Sequence, residues 1–182
     1  MKISDEGIEI IKFFESCRLE AYQDSGGVWT VGYGSTRGVK SGMVITQAEA
    51  DERLREDLIS AEHRASENLI RLQIDVNQNE YDTLVSLAYN LRSFEMLASH
   101  LKMNRRKFKE KMLLYCKDIK GNFLKGLKIR RIAERLLFEG RKWKLVAKQL
   151  QKLNIHEIVE REDELFRQNV ENIDTSEFRN GN

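Results

Sequence analysis

The residues from 46 to 70 constrain the fold most strongly, because they carry one long helical pattern. Thr46 and Glu49 have the spacing of a capping box, which marks a helix N-terminus. The apolar residues that follow recur on one helix face: Ala50, Leu54, Leu58, Ala61, Ala65 and Leu69. The 182-residue chain contains no proline and no Gly/Ser-rich linker, so its composition marks no flexible joint. We therefore expect a helix over about 46–70 that itself connects two lobes.

The segment before this helix changes from helical to turn and strand character. Ser4 or Asp5 can cap a first helix, whose apolar spacing continues to Glu15. A turn composition follows at 23–27, and 28–34 is a β-branched and aromatic run typical of a strand. Paired with the four residues before the turn, this run predicts a small β-sheet built on a hairpin.

Helical patterns dominate the rest of the chain. The apolar stretch 81–91 is typical of a buried helix, and basic amphipathic segments follow around 96–118 and 126–139. Beyond residue 140, apolar residues with the spacing of an amphipathic helix continue almost to the end: Ile155, Ile158, Val159, Leu165, Phe166, Val170 and Ile173. We expect this tail to pack on the body or on a partner.

The cysteines and histidines do not have the spacing of a metal or cofactor site. Cys17 and Cys116 have no CxxC partner, and His63, His100 and His156 stand far apart. His156 also lacks the second histidine of an HExxH motif. We therefore expect free thiols, surface histidines, no metal and no cofactor.

The N-terminal residues resemble neither a signal peptide nor a membrane span. Residues 3–14 have an apolar helix pattern, but Glu9 and Lys12 interrupt it, and there is no small-residue cleavage site. We expect a soluble protein that is made in a cytoplasm.

Charge is unevenly distributed along the chain. The net charge is +2, yet residues 102–148 hold 17 lysines and arginines against 4 acidic residues. A cationic face of this size attracts polyanions, including nucleic acid and the anionic polymers of a bacterial envelope. A solvated helix surface is the alternative interpretation, and the composition alone supports both.

Two carboxylic residues near the predicted hairpin suit opposite roles in acid–base chemistry. Cleavage of an acetal needs one carboxyl group held protonated and a second held ionised across the scissile bond. Glu15 ends a predicted helix, where the backbone dipole is negative, and it follows Phe13 and Phe14; both features oppose ionisation. Asp24 lies in a glycine-rich turn, whose amides and the Ser25 hydroxyl are donors that favour a carboxylate.

Thr30 adds a hydroxyl group on the strand that leaves the same turn. It could hold a water molecule beside Asp24, while the glycines at 26, 27, 32 and 34 would let a polymer approach the backbone. These features predict a cleft for a sugar chain. A glutamate, an aspartate and a threonine near a turn are also common on protein surfaces, so the residues alone leave both interpretations open.

Four blocks of sequence resemble the phage-type lysozymes, or endolysins, of glycoside hydrolase family 24. The first is E-x8-D-x5-T in ESCRLEAYQDSGGVWTVGYGST, which matches the spacing of all three candidate residues. VKSGMVITQAEADERLREDL at 39–58, QNEYDTLVSLAYN at 78–90 and GLKIRRIAERLLFEG at 126–140 are similar to the family's connecting helix, buried helix and closing motif. The resemblance covers about residues 3 to 140.

This resemblance implies a predominantly helical α+β fold of two lobes. A lysozyme domain over 1–140 would contain a small N-terminal β-sheet lobe at about 15–45, the connecting helix at about 46–70, and a helical lobe at about 71–140 that includes the N-terminal helix. Residues 141–182 would form a C-terminal helical extension of unknown role. A wall-targeting element, a dimer contact and extra packing are all compatible with this extension.

The resemblance also implies a bacteriolytic muramidase. Such an enzyme hydrolyses the β-1,4 bond between N-acetylmuramic acid and N-acetylglucosamine in peptidoglycan, without metal or cofactor. By the matched motif, Glu15 is the general acid, Asp24 is the second catalytic carboxylate, and Thr30 positions the attacking water, with inversion expected. Tyr22, Thr36, Tyr89 and Asn90 fall where relatives contact the substrate, although such residues also serve as core or capping groups.

Some residues depart from the family's pattern or leave a question open. Many relatives have Gly-His after the strand where this chain has Gly34-Ser35, and Phe-Asn-x-Gly becomes Tyr89-Asn90-Leu91-Arg92. We expect these changes to remove a polar contact and a flexible turn. Arg130 and Arg131 could place a guanidinium near Glu15 and favour its ionised form, which opposes the effects named above.

Partners and location follow from the resemblance as further expectations. We expect a monomer that acts on bacterial peptidoglycan, contacts an anionic envelope or membrane electrostatically, and binds no specific nucleic acid. It would stay in the host cytoplasm until its release to the cell wall. The alternatives are a catalytically idle lysozyme-like module that binds glycan or nucleic acid through its basic face, and a lysozyme domain used as a toxin or wall-piercing tool.

Overall fold

The computed structural model describes residues 1–24, 26–118 and 120–167. In chain order its elements are α1 (Asp5–Glu15), β1 (Arg18–Gln23), β2 (Trp29–Gly32), α2 (Gln47–Leu72), α3 (Gln78–Asn90), α4 (Phe94–Met103), α5 (Arg105–Met112), α6 (Lys125–Phe138), α7 (Lys144–Leu150) and α8 (Ile155–Arg167). The predicted α+β fold, mainly helical with a small N-terminal sheet, is confirmed. The chain divides into two compact units, Met1–Gln151 and a second that begins at Lys152.

Helix α2 connects the sheet with the helical part of the first unit, as predicted. Thr46 and Glu49 form the expected capping box, and the helix continues for 26 residues, about 39 Å at 1.5 Å per residue. Near its start it packs so closely on β2 that a Cβ atom at Gly32 would lie 3.4 Å from Ala50. Near its end, Ser66 hydrogen-bonds to the Tyr81 hydroxyl in α3 at 3.0 Å.

The sheet is an antiparallel hairpin closed by a glycine-containing turn. Tyr22 in β1 lies opposite Thr30 in β2, and the register shifts between Arg18 and Tyr22. Residues 43–45 run beside β1, because Ala21 and Met43 share a backbone hydrogen bond. The hairpin therefore has one edge covered by the chain that leads into α2.

The core of the first unit centres on α3, which packs against α1, α2 and α6. The α3 side chains from 80 to 88 are buried, and α6 is buried from Lys128 to Phe138 apart from the partly exposed Arg135. The buried residues of α6 include four charged ones: Lys128, Arg130, Arg131 and Glu134. These charges need partners inside the protein, since an unpaired buried charge is costly.

The basic segment predicted over 96–118 is not one amphipathic stretch. It contains two helices, α4 and α5, that are separated at Asn104. The Asn104 side chain accepts hydrogen bonds from the amides of Arg106 and Lys107 and so caps α5. After Met112 the chain leaves the helix, and a hairpin turn follows in which the backbone of Leu124 bonds to that of Cys116.

Residues just beyond the predicted boundary at 140 lie within the first unit. The Trp143 side chain is buried, its ring stacks edge-on to Phe13 at 5.5 Å, and its indole nitrogen donates to Glu6. In the second unit, Asn154 caps α8 by accepting from the amide of Glu157. Val170 and Ile173, predicted to continue a helix, lie outside the described residues, and the role of 141–182 stays a prediction.

In the described ranges, no helix is both long enough and apolar enough to span a membrane.

Two helical glycines provide a test of the packing between α1 and α3. A Cβ atom at Gly7 would lie 2.8 Å from Asp82 and 2.7 Å from Ile3, whereas nothing lies within 4 Å of one at Gly126. We expect Gly7→Ala to lower the free energy of unfolding by about 1–3 kcal/mol through overpacking. Gly126→Ala should instead raise it by about 0.5 kcal/mol. Urea unfolding of both variants measures the difference, and equal effects would contradict the close packing.

Candidate active site

Glu15 occupies the last position of α1, at the point where the chain turns sharply into the sheet. Only Ser16 and Cys17 separate the helix from β1. Ser16 has φ 59° and ψ 154°, a conformation that is rare outside glycine and costs on the order of 1–3 kcal/mol. The surrounding fold therefore holds the residue after Glu15 in a strained geometry, which fixes the direction of the turn.

Of the two arginines that the sequence placed near Glu15, Arg130 is the one that contacts it. Arg130 Nη1 donates to Glu15 Oε1 at 2.5 Å, whereas Arg131 points to other partners. The Arg130 side chain is only 4% exposed, and that of Glu15 is 24% exposed. The candidate acid thus lies at the boundary between the buried charges of α6 and solvent.

A second carboxylate, Glu134, binds both arginines from within α6. Its Oε1 accepts from Arg130 Nε at 3.1 Å, from Arg131 Nη2 at 3.1 Å and from Ser86 Oγ at 2.7 Å. Burial opposes the charge of Arg130, but the nearby carboxylates of Glu134 and Glu15 outweigh it and raise its pKa. Burial lowers the pKa of Arg131 to about 10, which still leaves it charged at neutral pH.

The side chains of Asp24 and Thr30 both hydrogen-bond to the backbone of Val28. Asp24 Oδ1 accepts from the amides of Gly26 and Val28 at 2.8 and 2.9 Å, as expected for this glycine-containing turn. The Thr30 hydroxyl donates to the Val28 carbonyl at 3.0 Å. Asp24 is exposed and Thr30 is buried, so the turn carries one solvent-accessible carboxylate beside a buried hydroxyl. Ser25, the other predicted donor to Asp24, lies outside the described residues.

Tyr89 and Asn90 lie beside the buried charges at the end of α3. The Tyr89 hydroxyl donates to the Tyr33 carbonyl at 3.4 Å, and Asn90 Oδ1 accepts from Arg131 Nη2 at 2.9 Å. Burial, and then the negative charges of Glu15 and Asp57, raise the pKa of Tyr89 far above its ordinary value. Tyr89 is therefore a neutral hydroxyl at the pH of the cell.

The other two predicted substrate contacts lie on the sheet and on the loop after it. The Tyr22 ring stacks under the guanidinium of Arg18 at 4.0 Å and lies opposite Thr30 in the sheet. Thr36 is exposed in the loop that leaves the sheet. The structure thus places Tyr22 next to Thr30, and Tyr89 and Asn90 next to the arginines, while their contact with substrate stays a prediction.

Ser35 makes a polar contact that the sequence interpretation expected to be missing. Its hydroxyl donates to Asp57 Oδ2 in α2, and its backbone pairs with Val31. The expectation of a lost contact was wrong, because a serine hydroxyl here reaches the carboxylate. Asp57 itself was missed, since a lone aspartate on a helix gives no local signal of a partner 22 residues away.

The turn after α3, at Leu91-Arg92, contains no glycine and is held by hydrogen bonds from Arg64. Arg64 of α2 donates from Nη2 to the carbonyls of Leu91 and Arg92, each at 3.1 Å, and from Nη1 to Ala88 at 2.6 Å. It also pairs with Glu95. One guanidinium therefore fixes the backbone that follows Tyr89 and Asn90.

Within the described ranges, no three His, Cys, Asp or Glu side chains are grouped so that they could hold a metal ion. Cys17 and Cys116 are free thiols.

Comparison with known proteins identifies relatives along most of the chain. The family model described as phage lysozyme matches residues 12–134. The endolysin of Acyrthosiphon pisum secondary endosymbiont phage 1 is 37% identical over 148 residues, which cover 77% of this chain and 99% of the relative. The solved endolysin from Escherichia coli O157:H7 phage FAHEc1 is 33% identical with a TM-score of 0.68, covering 76% of this chain and 93% of that one. A solved mutant of P22 lysozyme is 35% identical with a TM-score of 0.65, covering 76% and 99%.

The Ser35 contact can be tested through stability. In Ser35→Ala the Asp57 carboxylate would lose the hydroxyl that donates to it, so we expect the free energy of unfolding to fall by about 1–2 kcal/mol. Thr36→Ala is the matched control, because Thr36 is the next residue and is exposed. Urea unfolding should separate the two variants. Equal stability in both would show that the hydroxyl does not support Asp57.

Proposed function

Because the chain belongs to the phage lysozyme family, we infer that it is an endolysin, a muramidase that hydrolyses peptidoglycan during host-cell lysis. The bond cleaved is the β-1,4 link between N-acetylmuramic acid and N-acetylglucosamine. The observation that carries this inference is the match over 12–134, which contains Glu15, Asp24 and Thr30 at the family's spacing. The alternative of an idle binding module is not favoured, since the full set of candidate catalytic groups is present.

We propose that Glu15 is the general acid that protonates the leaving glycosidic oxygen. Arg130 fixes the orientation of its carboxyl group, and the short link through Ser16 limits its movement. The Arg130 guanidinium also favours an ionised carboxyl group, so a general acid at this position needs a nearby negative charge that opposes this effect. Glu134 supplies one by binding the same guanidinium, and exclusion of water by a bound glycan would further favour the protonated form.

Asp24 and Thr30 are proposed to hold the attacking water. The Thr30 hydroxyl gives its only proton to Val28, so its oxygen is left as an acceptor. A water could then donate one proton to Thr30 and the other to Asp24, which leaves an oxygen lone pair for attack on the sugar. Asp24 accepts two backbone amides on one oxygen, and its second oxygen is the one we assign to this water.

The arrangement supports an inverting mechanism. In such a mechanism one carboxyl group protonates the leaving oxygen while the other activates water on the opposite face of the sugar. Glu15 ends α1 and Asp24 follows β1, so two separate elements carry the two carboxyl groups. Tyr22, Thr36, Tyr89 and Asn90 are the residues we assign to glycan contact.

The basic segment is proposed to concentrate the enzyme on anionic envelope polymers. Several of its cations already form ion pairs with carboxylates of the same chain, including Arg105 with Glu80 and Lys109 with Glu139. Lys117 and Lys120 are exposed, and no salt bridge to another described residue is seen for either. The surface open to polyanions is therefore smaller than the sequence count suggests. We further propose that the protein acts as a monomer and stays in the host cytoplasm until release.

Digestion of purified peptidoglycan tests the proposed function. We expect the wild type to release muropeptides with N-acetylmuramic acid at the new reducing ends. Glu15→Gln should lower the rate by about 100-fold to 10,000-fold, the usual contribution of a general acid. Glu20→Gln is the control, since Glu20 is an exposed glutamate of β1 outside the proposed machinery. Chromatography with identification of the end sugar provides the readout. Undiminished cleavage by Glu15→Gln would remove Glu15 from the role of acid.

The stereochemical outcome tests the assignment of Asp24. Inversion at a β-linkage should release the α-anomer first, before mutarotation equilibrates the product. Proton NMR during the first minutes of digestion of soluble peptidoglycan strands distinguishes the anomers. Initial release of the β-anomer would instead indicate a retaining mechanism, with Asp24 as a nucleophile.

A further inference from the structure

We propose that Glu134 is a positioning residue for the reaction, which sets both the orientation and the charge around Glu15. This inference rests on the proposed function, because it takes Glu15 as the acid. Glu134 does not touch the reacting groups and lies one layer behind them, bonded to the arginine that holds Glu15. The sequence motif R-R-x-x-E places all three charged residues on one helix, at 130, 131 and 134.

The contacts of Glu134 show that it is the centre of the buried cluster. Its side chain is fully buried, and it binds Arg130 four residues before it and Arg131 three residues before it. The Ser86 hydroxyl of α3 donates to the same carboxylate at 2.7 Å. The carboxylate thus receives donors from two helices, and both guanidiniums are held against it.

Each of the two arginines also contacts a different part of the site. Arg130 reaches Glu15 at the end of α1, and Arg131 reaches Asn90 at the end of α3. Movement of Glu134 would therefore displace the proposed acid and a proposed substrate contact together. This double connection distinguishes Glu134 from a carboxylate that neutralises one neighbour.

Charge balance gives Glu134 a second effect on Glu15. The cluster contains two guanidiniums, Arg130 and Arg131, and two carboxylates, Glu134 and Glu15. Further titratable groups among the described residues interact with it electrostatically: Tyr89 of α3 with Glu15 and Arg130, Asp57 of α2 with Tyr89, and Cys116 with Arg131. Without the charge of Glu134, two cations would face the Glu15 carboxyl group with no second carboxylate beside them.

Stability alone does not account for this cluster. Desolvation of buried ions often cancels the gain from pairing them, so apolar residues of similar volume would support α6 as well or better. Four charged groups are nevertheless placed here, three of them almost fully buried, at the end of α1 that carries the proposed acid. A role in holding and tuning Glu15 explains the arrangement.

The pH profile of peptidoglycan cleavage by Glu134→Gln tests the inference. The alkaline limb of kcat/KM follows loss of the acid's proton. We expect this limb to move to lower pH by about one unit, the size of shift that one neighbouring charge produces. Glu139→Gln is the matched control: Glu139 follows α6 directly and pairs with Lys109, Arg135 and Arg141, away from Glu15. Its profile should match the wild type.

A double variant keeps the test decisive if Glu134→Gln folds poorly. Arg131→Gln with Glu134→Gln removes one charge of each sign, which buried clusters tolerate better than removal of one partner. We expect its alkaline limb near the wild-type position, with kcat at least tenfold lower because Arg130 is no longer held. Wild-type kcat in this variant, or an unmoved limb in folded Glu134→Gln, would overturn the inference. An inactive wild type would instead overturn the muramidase function, and this inference with it.

Discussion

The ion pair between Glu15 and Arg130 is the interaction on which the arrangement of the site depends. It joins residues 115 positions apart, the last residue of α1 and the middle of α6. Arg130 is almost completely buried, so its charge must be balanced within the protein. Glu134 and Glu15 provide this balance from two sides. The packing of α1 and α6 around α3 is therefore coupled to the orientation of the proposed acid.

The spacing of the three catalytic candidates follows from the structure between them. After Glu15 the chain uses two linking residues and the six-residue strand β1 to reach Asp24. Asp24 accepts from the Val28 amide, and Thr30, two residues further along in β2, donates to the Val28 carbonyl. One inserted residue in β1 or at the start of β2 would turn the following side chains to the opposite face. The spacing in E-x8-D-x5-T therefore follows from the lengths of the link, the strand and the turn that separate the three residues.

Local sequence signals predicted the elements well. The capping box at Thr46, the apolar face of α2 and the glycine-rich hairpin each depend on neighbours a few residues apart. The break at Asn104 was missed, because its capping role competes with an otherwise continuous amphipathic pattern. Side-chain partners across the fold were not predictable in the same way. Ser35 with Asp57, and Ser86 with Glu134, join residues 22 and 48 positions apart, and no periodicity encodes such pairs.

Burial explains which departures from the family's pattern the site can accept. Ser35 is buried, and its hydroxyl donates to Asp57, whereas Arg64 is partly exposed and donates to backbone carbonyls after α3. The serine is uncharged, and the charge of Arg64 is balanced by Glu95, so neither position leaves a buried charge without a partner. Arg130, Arg131 and Glu134 differ from these positions, because removing any one of them would leave a buried charge without its partner. Variation at Ser35 and in the turn after α3 is therefore compatible with an unchanged acid, whereas variation in the buried cluster changes the acid itself.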